Sequence, residues 1–155
     1  MLAARAERDQ IDATLVEFDD ELASRAVNAA KIADLERVAV RRGDAGDAAS
    51  FSDVVPVDVL MLCGIFRNVE HATVADIARA VPAMVVQWGY LIWTRGGGPP
   101  VDRRPEVRRW FIDARMPEVS FDGEPEKYGV GVNHVTAHQG AMPNGRLFTF
   151  RTAEI

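Results

Sequence analysis

The sequence predicts an α/β domain, doubly wound, with a mostly parallel sheet and helices on both faces. Three observations carry that prediction. The first hundred residues alternate strand-like and helix-like stretches. Val57-Asp58-Val59-Leu60-Met61-Leu62 holds five apolar residues in six, between Pro56 and Cys63-Gly64, and reads as a strand buried on both faces. Tyr90-Leu91-Ile92-Trp93-Thr94 repeats the same character. In such sheets ligands bind beyond the carboxyl ends of strands, which directs the search for function to Cys63 to Asn68.

Taken in order, Met1 to Arg8 has a helix-forming composition but is too short to stand alone in water. Ala13-Thr14-Leu15-Val16-Glu17-Phe18 is a short strand with an acid at its end. Asp19 or Asp20 then caps a helix that places Leu22, Ala26, Ala30 and Ala33 on one face. Arg37 to Arg42 alternates charge and valine, the mark of an outer strand, and Gly43-Asp44-Ala45-Gly46-Asp47 is the loop leaving it. Asp47 caps a short helix from Ala48 to Val54.

After the central strand, Thr73 and Asp76 form a T-x-x-D capping box for a helix from Val74 to Val81, and Pro82 opens a second helical stretch. Gln87-Trp88-Gly89 turns the chain into the next strand. Gly96-Gly97-Gly98-Pro99-Pro100 cannot continue regular structure and is expected as an exposed loop. Pro105 suits the first turn of a helix with Val107, Trp110, Phe111 and Ala114 as its apolar stripe. Glu118 to Phe121, Tyr128 to Val135 and Leu147 to Phe150 read as strands whose order in the sheet is not legible.

A length of 155 residues suits one domain over 1–155, able to bury a core without metal or disulfide staples. The single cysteine, Cys63, excludes an internal disulfide and fits a reducing, cytoplasmic setting. With 23 acidic against 18 basic residues the net charge is -5, a poor footprint for nucleic acid. No apolar run approaches the roughly 20 residues that span a bilayer, and Met1 to Arg8 lacks a signal-peptide layout, so no membrane partner is expected. A small-molecule substrate is.

The order of these features resembles class I S-adenosylmethionine-dependent methyltransferases, and a bacterial subgroup of them in particular. Val16-Glu17-Phe18-Asp19, the Gly43-Asp44-Ala45 turn, Asp58-Val59-Leu60-Met61-Leu62-Cys63-Gly64 and Trp88-Gly89-Tyr90-Leu91-Ile92-Trp93-Thr94 carry the likeness, which extends from about Met1 to Phe150. It implies a Rossmann-like sheet with S-adenosylmethionine as cofactor. Glu17 would accept hydrogen bonds from the ribose diol, Asp44 from the adenine amino group, and the Ala45 N–H would donate to the ring. Phe18 and Ile65 would sandwich the adenine, a stacking contact worth roughly 1 kcal/mol. Cys63 and Gly64 would floor the methionine part. Asn68 would orient the methyl acceptor, and His71 is the nearest base by sequence if the acceptor must lose a proton. The family's opening strand and glycine-rich loop would lie upstream of Met1, so the domain is expected to be N-terminally incomplete and to self-associate through exposed sheet edges.

Each of these residues also has a plainer reading. Glu17 is a solvated acid at a strand end, Asp44 and Asp47 are turn and cap residues, Cys63 is a small hydrophobe, and Asn68 closes a loop through its own side chain. The arginines at 103, 104, 108 and 109 form a solvated helix face or receive an anionic group. His134 and His138 are four apart, but Val135 stands where a zinc protease needs glutamate, so no metal site is expected. Two other functions stay open: a nicotinamide-dependent oxidoreductase, which also uses an acid for ribose, and a noncatalytic α/β domain that associates through its edges.

Overall fold

The computed structural model describes residues 2–97, 100–124 and 127–151, and the chain forms two compact units, residues 1–54 and 55–155. Gly98 and Pro99 of the expected glycine-proline loop lie outside the described residues.

In the first unit, short 3-10 turns at Leu2–Ala4 and Arg8–Gln10 replace the expected N-terminal helix. Strand β1 (Ala13–Glu17) pairs in parallel with β2 (Val38–Arg42), from Ala13 opposite Val38 to Glu17 opposite Arg42. Helix α1 (Asp20–Ile32) connects them, and Asp19 caps it by accepting the Leu22 N–H at 2.9 Å. The α1 stripe is thin: only Ala23 is buried, while Leu22 is 48% exposed. Asp47 accepts the Ala49 N–H at 3.0 Å and caps a 3-10 turn of three residues, Ala48–Ser50, shorter than the helix its sequence suggests.

The second unit is a four-stranded sheet in the order β3-β4-β6-β5, with β3 (Val57–Leu62), β4 (Val85–Gly96), β5 (Glu118–Asp122) and β6 (Tyr128–His134). β3 and β4 run parallel; β6 is antiparallel to both β4 and β5. The sheet is therefore mixed: a helical crossover makes β3 and β4 parallel, and the β5–β6 hairpin folds back so that β6 lies antiparallel between β4 and β5. Leu147 to Phe150 forms no strand among the described residues, only a single antiparallel bridge from Phe150 to Val69.

Helix α2 (His71–Met84) starts three residues before the expected point, with Glu70 at its cap, so the Thr73/Asp76 box does not form and Asp76 pairs with Arg79 instead. Val74, Ile77, Ala78 and Val81 give its buried stripe at helical spacing, and Pro82 sits in its last turns rather than opening a new helix. Helix α3 (Arg104–Asp113) has proline in its first turn and buries Val107 and Phe111 as expected. Both helices cover the sheet face made by Leu62, Leu91, Trp93, Gly131 and Asn133, all five of which are buried.

The opposite face is bare among the described residues. Val59 (49% exposed), Met61 (52%), Tyr90 (42%) and Val130 (41%) lie on it, together with Ile92 and Val132. The expectation that Val57–Leu62 is buried on both faces is thus corrected: only Leu62 is buried, because β3 is an edge strand here with a helix layer on one side. Between Val85 and Tyr90 the strand advances five residues while β3 advances two, so β4 bulges at Val86–Gly89. Trp88 takes φ 70 there. A side chain at Gly89 would sit 2.7 Å from the Asp58 carbonyl oxygen, which is why this position needs glycine.

Candidate functional site

In the first unit the two strands end together. The Gly43 N–H donates to the Glu17 carbonyl at 3.0 Å, so Glu17 and the Gly43–Asp47 loop share the carboxyl edge of the pair. Glu17 Oε1 accepts the Asp19 N–H at 2.9 Å, and Oε2 makes no bond among the described residues. Arg42, directly across from Glu17, is paired with Asp20 at 2.5 Å and does not neutralise it. Phe18 follows, 72% exposed as a residue, leaving apolar area in water that a stacked partner would cover. Asp44 Oδ1 accepts the Gly46 N–H at 2.8 Å, a local turn that holds its carboxylate over the loop, and Ala45 beside it is half-buried. An acid at a strand end, an exposed ring and a second acid one loop away are the parts a nucleoside needs: acceptors for vicinal hydroxyls, a π face and an acceptor for an exocyclic amine.

In the second unit the residues after β3 form a braced loop. Gly64 takes φ 75, its N–H donates to Thr94 Oγ1 at 3.0 Å, and Asn68 Nδ2 donates to the Gly64 carbonyl at 2.7 Å. Asn68 thus closes the loop, as its plainer reading has it, while its Oδ1 makes no bond among the described residues. Phe66 anchors the loop from beneath, fully buried against Trp93 and Phe111 at ring distances of 6.1 and 5.9 Å. Ile65 is half-buried beside it. Burial pushes the Cys63 thiol up, against a smaller opposing hydrogen bond with Thr94, so Cys63 is a thiol at neutral pH and not an activated nucleophile.

His71 stands at the first turn of α2 with Nε2 2.5 Å from Glu106 Oε2 and its ring 4.7 Å from Trp110. Nδ1 is buried without a hydrogen-bond partner among the described residues. The side chain thus bridges the first turns of α2 and α3. The bond from His71, with that from Arg103, holds the Glu106 carboxyl below the ordinary range. Sequence reasoning missed Thr94 and Arg95, which sit at the carboxyl end of β4. The signal was available, since both fall at a strand end on the side where such sheets bind ligands.

A shallow cavity of about 300 Å³ lies in the first unit between Arg8, Ile11, Asp34 and Val38. It opens at the amino ends of β1 and β2, the end away from Glu17 and Asp44, and is walled by groups already paired, among them Arg8 with Asp34 and Arg37 with Asp12. The strand-end residues are the better candidates.

No protein-family model matches the sequence, and no curated protein sequence matches it. Solved structures match by fold. The chain is similar to the N-methyltransferase NodS from Bradyrhizobium japonicum WM9, with a TM-score of 0.60 and 13% identity over 78% of this chain and 71% of that one. It is similar to an O-methyltransferase family protein from Burkholderia thailandensis, with a TM-score of 0.64 and 12% identity over 89% and 55%. A protein of the NADB-Rossmann superfamily from Streptococcus agalactiae matches with a TM-score of 0.55 and 16% identity over 83% and 53%. The chain therefore spans about half the length of the latter two. These likenesses define the fold: Rossmann-like α/β, of the kind found in structurally solved methyltransferases.

Proposed function

We propose that this chain serves S-adenosylmethionine-dependent methyl transfer to a small-molecule acceptor. One observation carries the reading: Glu17, with an unbonded carboxylate oxygen, and Asp44 lie on the same carboxyl edge of a parallel strand pair, next to the exposed ring of Phe18. These residues fit the adenosine half of the cofactor. Glu17 takes the ribose diol, Asp44 the adenine amino group with the Ala45 N–H on the ring, and Phe18 one adenine face. Within the second unit, taken by itself, Asn68, through an Oδ1 that makes no bond among the described residues, is assigned to orienting a methyl acceptor beside Cys63, Gly64 and Ile65 of the same loop. His71 is given a positioning role, since Glu106 occupies Nε2. When bound, the cofactor supplies a methyl group already activated on a sulfonium, so holding donor and acceptor in line supplies much of the rate.

Calorimetric titration with S-adenosylhomocysteine tests the reading. The parent chain is expected to bind, and Glu17→Ala and Asp44→Ala each to weaken binding by about tenfold or more, the worth of a charge-assisted hydrogen bond. Parent-like affinity in both variants would mean the site is misplaced; NAD binding with none of the homocysteine nucleoside would favour an oxidoreductase.

A second reading rests on the bare sheet face. Val59, Met61, Tyr90 and Val130 expose apolar area beside the free edge of β3, which suits a noncatalytic domain that self-associates. Sedimentation velocity separates it: a stable oligomer that binds neither nucleotide supports it, and a monomer rules it out.

A further inference from the structure

Most cations of the second unit are matched by acids. Arg79, Arg103, Arg104, Arg108, Arg109 and Lys127 each form an ion pair with a carboxylate. Among the described residues, three arginines around the loop after β3 do not. Arg95 Nη1, at the end of β4, donates to the Phe66 carbonyl. Arg151 Nη2 donates to the Arg67 carbonyl at 2.5 Å, and the Arg151 N–H to the Asn68 carbonyl at 2.7 Å. The Arg67 guanidinium reaches back over Gly96, the neighbour of Arg95: a Cβ built there would lie 3.7 Å from Arg67 Nη1.

We propose that Arg67, Arg95 and Arg151 form an oxyanion-binding site at the carboxyl end of β4, occupied by the carboxylate or phosphate group of a small molecule. Each guanidinium carries five N–H donors, and among the described residues backbone carbonyls take one from Arg95 and one from the Arg151 side chain. Planar forks of this kind match carboxylate and phosphate geometry. The acids nearest Arg95 are committed elsewhere, Glu106 to His71 and Arg103, and Asp102 to Arg104. Glu70, next along the loop, makes no ion pair with any of the three among the described residues. Burial, then the like charges of Arg103 and Arg151, hold the Arg95 guanidinium below its ordinary value, a repulsion that a bound anion relieves. A local positive cluster on a chain of net charge -5 also attracts anions selectively to this edge.

That the anion belongs to the methyl acceptor rests on the function proposed above; the binding itself does not. The test is titration of the full chain with inorganic phosphate at constant ionic strength, read by NMR at the arginine Nε–H groups and the amides of Gly64 to Val69. Saturable shifts are expected, weakened about tenfold in the Arg67→Gln/Arg151→Gln double variant, and unchanged in Arg109→Gln, a surface change remote from the loop. A linear response without saturation, or equal behaviour of the two variants, overturns the site. Circular dichroism checks that the double variant is folded. Saturable phosphate binding in a chain that fails to bind S-adenosylhomocysteine would keep the anion site and remove the methyl-transfer reading, and the converse result would do the opposite.

Discussion

Asn133 is the sharpest point at which to perturb the second unit. It is fully buried on β6; its Oδ1 accepts the Trp93 Nε1–H at 2.9 Å, and its Nδ2 donates to the Met116 carbonyl at 2.9 Å. One amide thus satisfies the indole of β4 and the chain leaving α3, both themselves fully buried. Asn133→Leu keeps the volume and orphans both partners. Each unsatisfied buried group costs about 1–3 kcal/mol, so the pair costs about 4 kcal/mol, less about 1 kcal/mol for the added apolar burial. A net loss of about 3 kcal/mol is a large share of a domain's 5–15 kcal/mol and lowers the melting temperature by about 10 °C or more. Asn133→Asp adds a sign. A protonated aspartic acid reproduces both bonds, with its O–H donating to Met116 and its carbonyl oxygen accepting from Trp93. Burial raises its folded pKa above the unfolded value, so the folded state binds the extra proton and stability falls as pH rises through that range. The assay is urea unfolding followed by tryptophan fluorescence at acidic and neutral pH, each variant against the parent at the same pH. If Asn133→Leu loses less than about 0.5 kcal/mol, or Asn133→Asp is no more stable in acid relative to the parent, the buried bridge is not what holds these strands.

Other outcomes follow from the same geometry. Gly131→Ala would drive a Cβ into the Trp93 indole ring and should cost about 1–3 kcal/mol or more by overpacking, read from the same unfolding curves. Asp102 is held below the ordinary carboxylate range first by hydrogen bonds from the Arg104 side chain; its stabilising contribution is therefore present above the unfolded pKa and is lost as pH falls through the folded value, below about pH 4. Asp102→Asn should flatten that acid limb of the stability profile. Cys63, pushed up by burial, should react with iodoacetamide more slowly at pH 8 than a free cysteine, and more slowly still in Thr94→Ala, which removes the opposing hydrogen bond.

Much of the local structure was legible. The apolar run Val57–Leu62, the Asp19 cap, the proline opening α3 and the stripe of Val107 and Phe111 are all set by near neighbours in sequence, and the structure forms them. The placement of Glu17 and the Asp44 loop on one edge was also legible, because parallel pairing of consecutive strands across a helix puts their carboxyl ends together. The Thr73/Asp76 box failed because α2 already starts at His71, which puts Thr73 inside the first turn where it cannot serve as the cap.

By itself, then, the sequence determined most of the strands and the longer helices and which acids end up at strand termini, since these depend on periodicity and on residues a few positions apart; the short elements at the N-terminus, after Asp47 and at 147–150 it did not. The tertiary structure alone decided that β3 has a bare face, that His71 meets Glu106 35 positions away, and that Arg67, Arg95 and Arg151 gather around one loop. Burial and charge pairing are sums over neighbours in space, and a chain read in order does not say which distant side chains those neighbours will be.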